Sequence, residues 1–268
     1  VAIDEKNEEL IVVDQLNSRL QVFSSKSYEW KKTIAFKSSE DKSPVFAAPS
    51  QIALTPSSEY AVADSGSGRV LIVSREGKLT RAIGRKGKEL GDLSGPTGVA
   101  VDTDGNIYVS DSWNHRIQVF SFEGKFLRAF GKRGNKDLEF MFPSFLSFDE
   151  NENLVVCDQL NHRIQIVDKQ GNFVSKFGKK GSNAGQLQHP RSVVVDKRQG
   201  NYIVADSNNH RIQTFDKHGN FLTSYGSNGT NYGEFIFPKG LAIDYESNVL
   251  LVCDSENNRL VSLQTILQ

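Results

Sequence analysis

One short phrase governs this chain: an Asp, four residues, then an Arg. It occurs at Asp14 and Arg19, Asp64 and Arg69, Asp111 and Arg116, Asp158 and Arg163, Asp206 and Arg211, and Asp254 and Arg259. Successive Asp residues are 50, 47, 47, 48 and 48 positions apart. A period of this size marks a repeat architecture, in which a unit that cannot bury its apolar face alone stacks on its neighbours. The repeats run the length of the sequence, so 1–268 reads as one domain with units of about 1–48, 49–95, 96–142, 143–189, 190–237 and 238–268.

Each unit reads as four short strands. In the third, Gly98-Val99-Ala100-Val101-Asp102 is an apolar inner strand a, and Asn106-Ile107-Tyr108-Val109-Ser110 is strand b. Arg116-Ile117-Gln118-Val119-Phe120 is strand c, and Phe126-Leu127-Arg128-Ala129-Phe130-Gly131 is strand d. The residues are β-branched and aromatic, the turns carry Asp-Gly, Glu-Gly and Asn, and no helical period appears. The a strands are apolar almost throughout and are expected to be buried on both faces. The c strands alternate, as in Ile164-Gln165-Ile166, and are expected nearer the surface.

Four antiparallel strands in each of six units predict an all-β fold, a six-bladed β-propeller. An eight-stranded barrel with an extra domain is the rival, but 24 strand-like segments in register argue against it. The chain opens on strand a of blade 1 and closes just after strand c of blade 6, at 259–263. Residues 264–268 are too few for a turn and a full strand, so the outer strand of blade 6 is expected from residues preceding Val1.

Composition supports a core: 38% of the 268 residues are hydrophobic and 24% charged, and 32 basic residues balance 32 acidic ones. No apolar run approaches the ~18 residues of a membrane span, and Val1 does not begin a signal peptide. Two cysteines make no disulfide framework. Cys157 and Cys253 precede the motif Asp in blades 4 and 6, too far apart to pair. As buried free thiols they point to a reducing compartment and a cytoplasmic location. Asn228-Gly229-Thr230 is a glycosylation sequon read as incidental.

A net charge of zero argues at first against nucleic acid, whose binding rests on neutralising phosphates. Propeller topology changes that reading. The d–a and b–c loops share one face, the a–b and c–d loops the other. The d–a loops 37–48, 85–95, 132–142, 179–189 and 227–237 carry 0, +1, +1, +2 and −1, and with Arg191, Lys239 and Glu256 their face sums to about +4. The opposite loops sum to about −4, before the inner-strand Asp4, Asp102, Asp149, Asp196 and Asp244 are added. Arg85, Lys86, Lys88, Lys132, Arg133, Lys136, Lys179, Lys180 and Arg191 lead from blades 2, 3 and 4. Phe145 near the pore and Trp113 in a b–c loop lie in the same region, while Phe140 and Phe142 read as packing between blades. Cations beside stacking surfaces are what single-stranded or looped RNA uses. The bland reading is that these lysines are solvated loop residues.

The other motifs read as scaffold. An Asp closing strand b and an Arg opening strand c would clamp each b–c turn with a charge-assisted pair. His115, His162 and His210 fall at one place in three consecutive blades, so they do not converge on a point as zinc ligands at about 2.0–2.1 Å must. They read as structural or RNA-facing turn residues; His189 and His218 stand in other loops and complete no site. After each proline the chain reads Ser50-Gln51, Thr97-Gly98, Ser144-Phe145, Arg191-Ser192 and Lys239-Gly240, with no carboxylate for a cation in the pore. No nucleophile elbow, phosphate-binding loop or dinucleotide fingerprint occurs. No catalysis, metal or cofactor is expected.

The period alone suits several propeller families, but there is no recurring Trp-Asp dipeptide and no paired-glycine signature. Instead Pro96-Thr97-Gly98-Val99-Ala100-Val101-Asp102 is followed by Asp111-Ser112-Trp113-Asn114-His115-Arg116-Ile117-Gln118-Val119-Phe120 and by Phe130-Gly131. Asp158-Gln159-Leu160-Asn161-His162-Arg163-Ile164-Gln165 and Asp206-Ser207-Asn208-Asn209-His210-Arg211-Ile212-Gln213 repeat it. This resembles the NHL repeat, and most of all the carboxy-terminal propeller of TRIM-NHL proteins. Blade 2, Asp64-Ser65-Gly66-Ser67-Gly68-Arg69, departs most.

The resemblance implies a module that binds an mRNA element on its top face, because several members do so and repress translation or destabilise the message. The RING, B-box and coiled-coil parts of a ubiquitin ligase are not in this sequence. The residues expected to contact RNA are Arg85, Lys86, Trp113, His115, Lys132, Arg133, Phe145, His162, Lys179, Lys180, Arg191 and Lys239. Neither DNA nor membrane is an expected partner. The alternative is a protein-interaction propeller that recruits partners or ligase substrates, which an exposed apolar patch would mark. A third reading follows from the NHL-type propeller of peptidyl-glycine lyase, whose zinc is held by histidines.

Overall fold

The computed structural model describes residues 1–35 and 46–264. Among the described residues there are strands, turns and single turns of 3-10 helix, and no α-helix. They group into two compact units, Val1–Phe130 and Gly131–Gln268. The first holds three four-stranded sheets; the second holds two more and a three-stranded sheet of Pro238–Asp244, Val249–Asp254 and Arg259–Leu263. Each strand of these blade sheets pairs antiparallel with its neighbour in sequence, and two short two-stranded ladders in the second unit are parallel. The architecture is that of an all-β, six-bladed propeller. The repeat that reads as one domain over 1–268 continues through both units. Residues 36–45 and 265–268 lie outside the described residues, and with them most of the loop 37–48 and the expectation about the sixth blade's outer strand.

The third blade shows how a unit is built, from Pro96–Val101, Ile107–Asp111, Arg116–Phe120 and Phe126–Phe130. Its first turn is closed by Asp102, whose Oδ1 accepts the N–H groups of Asp104 (3.0 Å) and Asn106 (2.7 Å). A short acidic side chain that bonds its own following backbone favours a turn over continued strand. Asp149 closes the fourth blade's first turn in the same way, on Asn151 and Asn153.

The second strand of each blade explains the apolar runs. Along Tyr60–Asp64 every residue is buried, because alternate side chains enter different cores. Tyr60 and Val62 pack with Ile11, Leu20, Val22 and Ile34 of the preceding blade. Ala61 and Ala63 point the other way, toward Val99, Ile107, Val109 and Phe120 of the next. Each inter-blade core is thus shared. A fully buried Val, Leu or Ile contributes about 1.5–3 kcal/mol by leaving water.

The third strands are not the surface strands that their alternation predicts. Arg163–Val167 is buried at every position, and Gln118, Gln165 and Gln213 are fully buried. The first strands vary, from the partly covered Pro49–Leu54 to Pro238–Asp244, which is buried at all positions but one. The glutamines read as outward-facing because they are polar; they are inside because each has a buried hydrogen-bonding task. The outer strands, such as Phe221–Tyr225, are the exposed ones.

Candidate anion-binding loops on a stapled scaffold

In all six blades the motif Asp and Arg pair in register across the turn. Blade 4 shows what this achieves. Asp158 Oδ1 accepts the Met141 N–H at 2.7 Å. Its Oδ2 accepts from Arg163 Nε (2.8 Å), Asn161 Nδ2 (2.9 Å) and Gln165 Nε2 (3.0 Å). Arg163 then donates to the carbonyls of Asn135 (2.8 Å), Lys136 (2.7 Å) and Glu139 (2.9 Å). Gln165 accepts the Leu138 N–H (3.1 Å) and donates to the Glu139 carbonyl (2.9 Å), and Asn161 donates to the Gly134 carbonyl (2.8 Å). The motif is therefore an Asp-Asn-Arg-Gln network that staples the loop 131–142 onto the following blade. Burial pushes the Asp158 carboxyl upward, and the hydrogen bonds from Met141, Asn161 and Arg163 oppose it.

The same pairing recurs at Arg116–Asp111 (2.7 Å), Arg211–Asp206 (2.8 Å) and Arg259–Asp254 (2.7 Å), and in blade 1 at Arg19–Asp14 (2.6 Å). Blade 2 departs in structure as in sequence: Asp64 accepts the N–H groups of Ala47 and Ala48. The histidine of the motif fills a left-handed position after the 3-10 turn, at φ 57° in His115 and His162 and 55° in His210, where blade 2 has Gly68.

The stapled loops are also braced internally. Lys132–Arg133 pairs in parallel with Glu139–Phe140, and Lys180 bridges Leu187. Gly131 allows this closure: it sits at φ 89°, and a Cβ there would lie 2.5 Å from the Phe140 ring. The cations of these loops thus project from an ordered backbone, which reduces the entropy lost on binding.

In Val1–Phe130, the exposed Arg85 is paired with Asp92 (Nε to Oδ1, 2.7 Å). Lys86 is exposed and meets no carboxylate within 4.0 Å among the described residues. Trp113 is 68% exposed and lies over Gly95, while His115 is half-buried. In Gly131–Gln268, Lys132 lies 3.6 Å from Glu139 and Lys239 lies 3.7 Å from Glu256, so both are partly neutralised. Arg133, Lys136, Lys179, Lys180 and Arg191 meet no carboxylate within 4.0 Å among the described residues. Phe145 is half-buried on Pro143–Phe148, whereas Phe140 is fully buried.

Two of the motif histidines take the structural one of the two roles read for them. His162, expected to face RNA, is only 8% exposed. Its Nδ1 accepts the His189 N–H at 3.1 Å, and the rings meet edge-on at 4.7 Å. His210 holds Phe237 likewise, accepting its N–H at 3.3 Å with ring centroids 4.6 Å apart. These side chains clasp the residue preceding the next blade's proline, His162 being buried and His210 half-buried. His189, set aside by the sequence reading, belongs to the site; the signal was its alignment with Gly95, Phe142 and Phe237, all left-handed residues before a proline. Burial holds both His162 and His189 below the usual imidazole range, with Lys180 adding repulsion to each and Arg191 to His189. The Arg191 guanidinium is half-buried, makes no hydrogen bond among the described residues, and is itself lowered by burial. Lys180 and Arg191 thus act on a His189 imidazole held toward its neutral form, and neither cation meets a carboxylate within 4.0 Å among the described residues.

Among the described residues no group of three or more His, Cys, Asp or Glu side chains could hold a metal ion. Cys157 is buried and its thiol pushed upward by burial; Cys253 is half-exposed rather than buried, and both are free. No helix among the described residues is long and apolar enough to cross a membrane.

The repeat family now has independent support. The NHL repeat matches at residues 93–120, 187–215 and 235–261, each running from a stapled loop through the Asp-to-Arg turn. The chain carries NHL repeats. No match was found among curated protein sequences. Similar solved structures include an auxiliary nutrient binding protein from Bacteroides thetaiotaomicron, at 16% identity and TM-score 0.73 over 96% of this chain and 66% of that one. A streptogramin B lyase matches at 13% identity and TM-score 0.67, over 100% of this chain and 82% of the other. A catalytically inactive virginiamycin B lyase from Staphylococcus aureus with quinupristin matches at 14% identity and TM-score 0.64, over 98% and 83%. At these identities the likeness is one of fold.

Proposed function

We propose that the chain is a non-catalytic binding module that holds a short single-stranded or stem-loop RNA element on the loops 131–142 and 178–189. The observation that carries this is the unneutralised set Arg133, Lys179, Lys180 and Arg191 on stapled backbone, with half-buried Phe145 on the same compact unit. Lysines and arginines without local counterions release condensed ions from a phosphate backbone when they bind it. Phe145 offers a face for a base, and half-buried Arg191 offers planar donors for a base edge or phosphate. This reading places the chain with the TRIM-NHL proteins, as a cytoplasmic regulator of mRNA.

In-vitro selection from a random RNA pool tests the proposal. An enriched motif whose binding weakens on Lys179→Glu with Lys180→Glu supports it; no enrichment, or binding indifferent to that reversal, overturns it. The second reading is a protein-recruitment module, favoured by Leu90 at 63% and Trp113 at 68% exposure. Substitution of the exposed Leu90 by Ala would then abolish capture of a partner while leaving RNA affinity unchanged.

A further inference from the structure

At the opposite end of the blades from the stapled loops, the second unit contains a polar cavity of about 390 Å³. Asp149, Glu150, Asn151, Tyr202, Lys217 and His218 line it. Tyr202 is only 5% exposed, and its ring packs against Phe177 at 5.1 Å. Among the described residues its hydroxyl has no hydrogen-bond partner. The ring is buried, but the hydroxyl itself is not a buried unsatisfied atom and reaches the cavity, where a ligand can meet it. Burial together with the charges of Asp149 and Glu150 pushes this hydroxyl up to about 12. The Asp149 carboxylate is spent on its own turn, accepting from the Asn151 and Asn153 backbones and the Asn153 side chain. The Glu150 carboxylate and the Asn151 amide have no hydrogen-bond or ion-pair partner among the described residues.

The first two blades contain a related arrangement with a guanidinium built in, although its carboxylate, Glu9, stands at the register position of Asn153 rather than of Glu150. Tyr60 occupies the position of Tyr202: Tyr60 pairs with Val73 and Tyr202 with Phe215, each opposite the last residue of its blade's third strand. The Tyr60 hydroxyl donates to Glu9 at 2.8 Å. Two residues beyond Val73, Arg75 brings its guanidinium to Glu9 (3.0 Å) and to the side-chain Oδ1 of Asn7 (2.7 Å). Asn7 answers to Asn151, each with its N–H held by the turn aspartate. Two residues beyond Phe215 stands Lys217, which is exposed and makes no ion pair among the described residues. One pair of blades fills the place with its own guanidinium. The other presents a buried tyrosine, an amide and a carboxylate around a cavity.

We infer that the cavity lined by Glu150, Asn151 and Tyr202 is a binding site for a guanidinium group, supplied in trans by an arginine side chain or a small guanidine. Glu150 would supply the charge-assisted bond, Asn151 a carbonyl acceptor, and Tyr202 the hydroxyl that the fold leaves without a partner. The site lies on the a–b and c–d turns, so it stands independently of the RNA reading.

Calorimetric or NMR titration of the intact chain tests it with three probes: N-acetyl-arginine amide, methylguanidinium, and the neutral N-acetyl-citrulline amide. The expected result is saturable binding of a guanidinium probe, little response to citrulline, and a loss of about tenfold or more in both Glu150→Gln and Tyr202→Phe. Binding of N-acetyl-arginine amide alone assigns the occupant to a polypeptide arginine; equal binding of methylguanidinium assigns it to a small guanidine. Both variants keep the packing seen here, Glu150 being exposed and Phe preserving the ring against Phe177, and unchanged thermal transitions check this. No binding of either guanidinium probe overturns the inference. Binding matched by citrulline, or unaffected by both substitutions, does so equally.

Discussion

The Asp158→Asn substitution separates the motif's structural role from that of its charges. Asp158 is fully buried and accepts from four donors, those of Met141, Asn161, Arg163 and Gln165. An amide of the same shape keeps one accepting oxygen. If that oxygen faces Met141, an NH2 group confronts the Arg163, Asn161 and Gln165 donors; if it faces them, the Met141 N–H is orphaned. Either way Arg163, only 7% exposed, loses its carboxylate. Removing one partner of a buried ion pair costs about 3–5 kcal/mol, because the other charge stays desolvated. For a chain of this size that corresponds to a fall of roughly 6–20 °C in the thermal midpoint. Asp64→Asn is the internal control, since Asp64 accepts from the Ala47 and Ala48 amides and belongs to no ion pair within 4.0 Å among the described residues. It should cost about 1–2 kcal/mol. Urea unfolding of both variants, with amide exchange read at Met141, makes the comparison. Equal losses in the two variants, or a loss below about 1 kcal/mol in Asp158→Asn, would refute the reasoning, and Met141 protection shows which way the amide turns.

Three further outcomes follow from the same geometry. Gly131→Ala should destabilise the chain by about 2 kcal/mol or more in urea unfolding, because Gly131 combines φ 89° with a Cβ site 2.5 Å from the Phe140 ring. The imidazoles of His162 and His189 should titrate below 6.5 by NMR, since burial penalises the charged form of each. A histidine whose folded value is depressed binds its proton more readily when unfolded, so its share of stability is present above 6.5 and lost as pH falls below it. His162→Gln should therefore flatten the acid limb of the stability profile. Gln165→Leu should cost about 1–3 kcal/mol despite gaining apolar character, because the Leu138 N–H loses its partner and the Glu139 carbonyl and Asp158 each lose one donor.

Much of the fold was legible because its signals are local and repeated six times. The Asp-to-Arg spacing marks a turn that each blade must make, and the apolar second strands reflect burial on both faces. The buried glutamines were not legible. An Ile-Gln-Ile run looks half-exposed unless it is known that Asp158 and the loop 131–142 supply bonds for the amide of Gln165. The charges were only partly legible for a related reason. Loop bridging brings residues seven apart together, so Asp92 neutralises Arg85 and Glu139 partly neutralises Lys132, which counting along the chain does not reveal. His189 was missed because its partner, His162, lies 27 residues earlier on another turn. The Tyr202 cavity was invisible in sequence, since it is defined by a hydroxyl that lacks the acceptor found at Tyr60.

The proposed RNA contact rests on cations without counterions, and the salt dependence of binding tests this most directly. For a single-stranded RNA obtained by selection, log K should fall linearly with log salt. The slope should be about −3 if Arg133, Lys179, Lys180 and Arg191 each meet a phosphate. The combined variant Arg133→Glu, Lys179→Glu and Lys180→Glu should bind far more weakly and with a slope nearer zero. A wild-type affinity indifferent to salt, or one that the triple reversal leaves intact, would contradict the account.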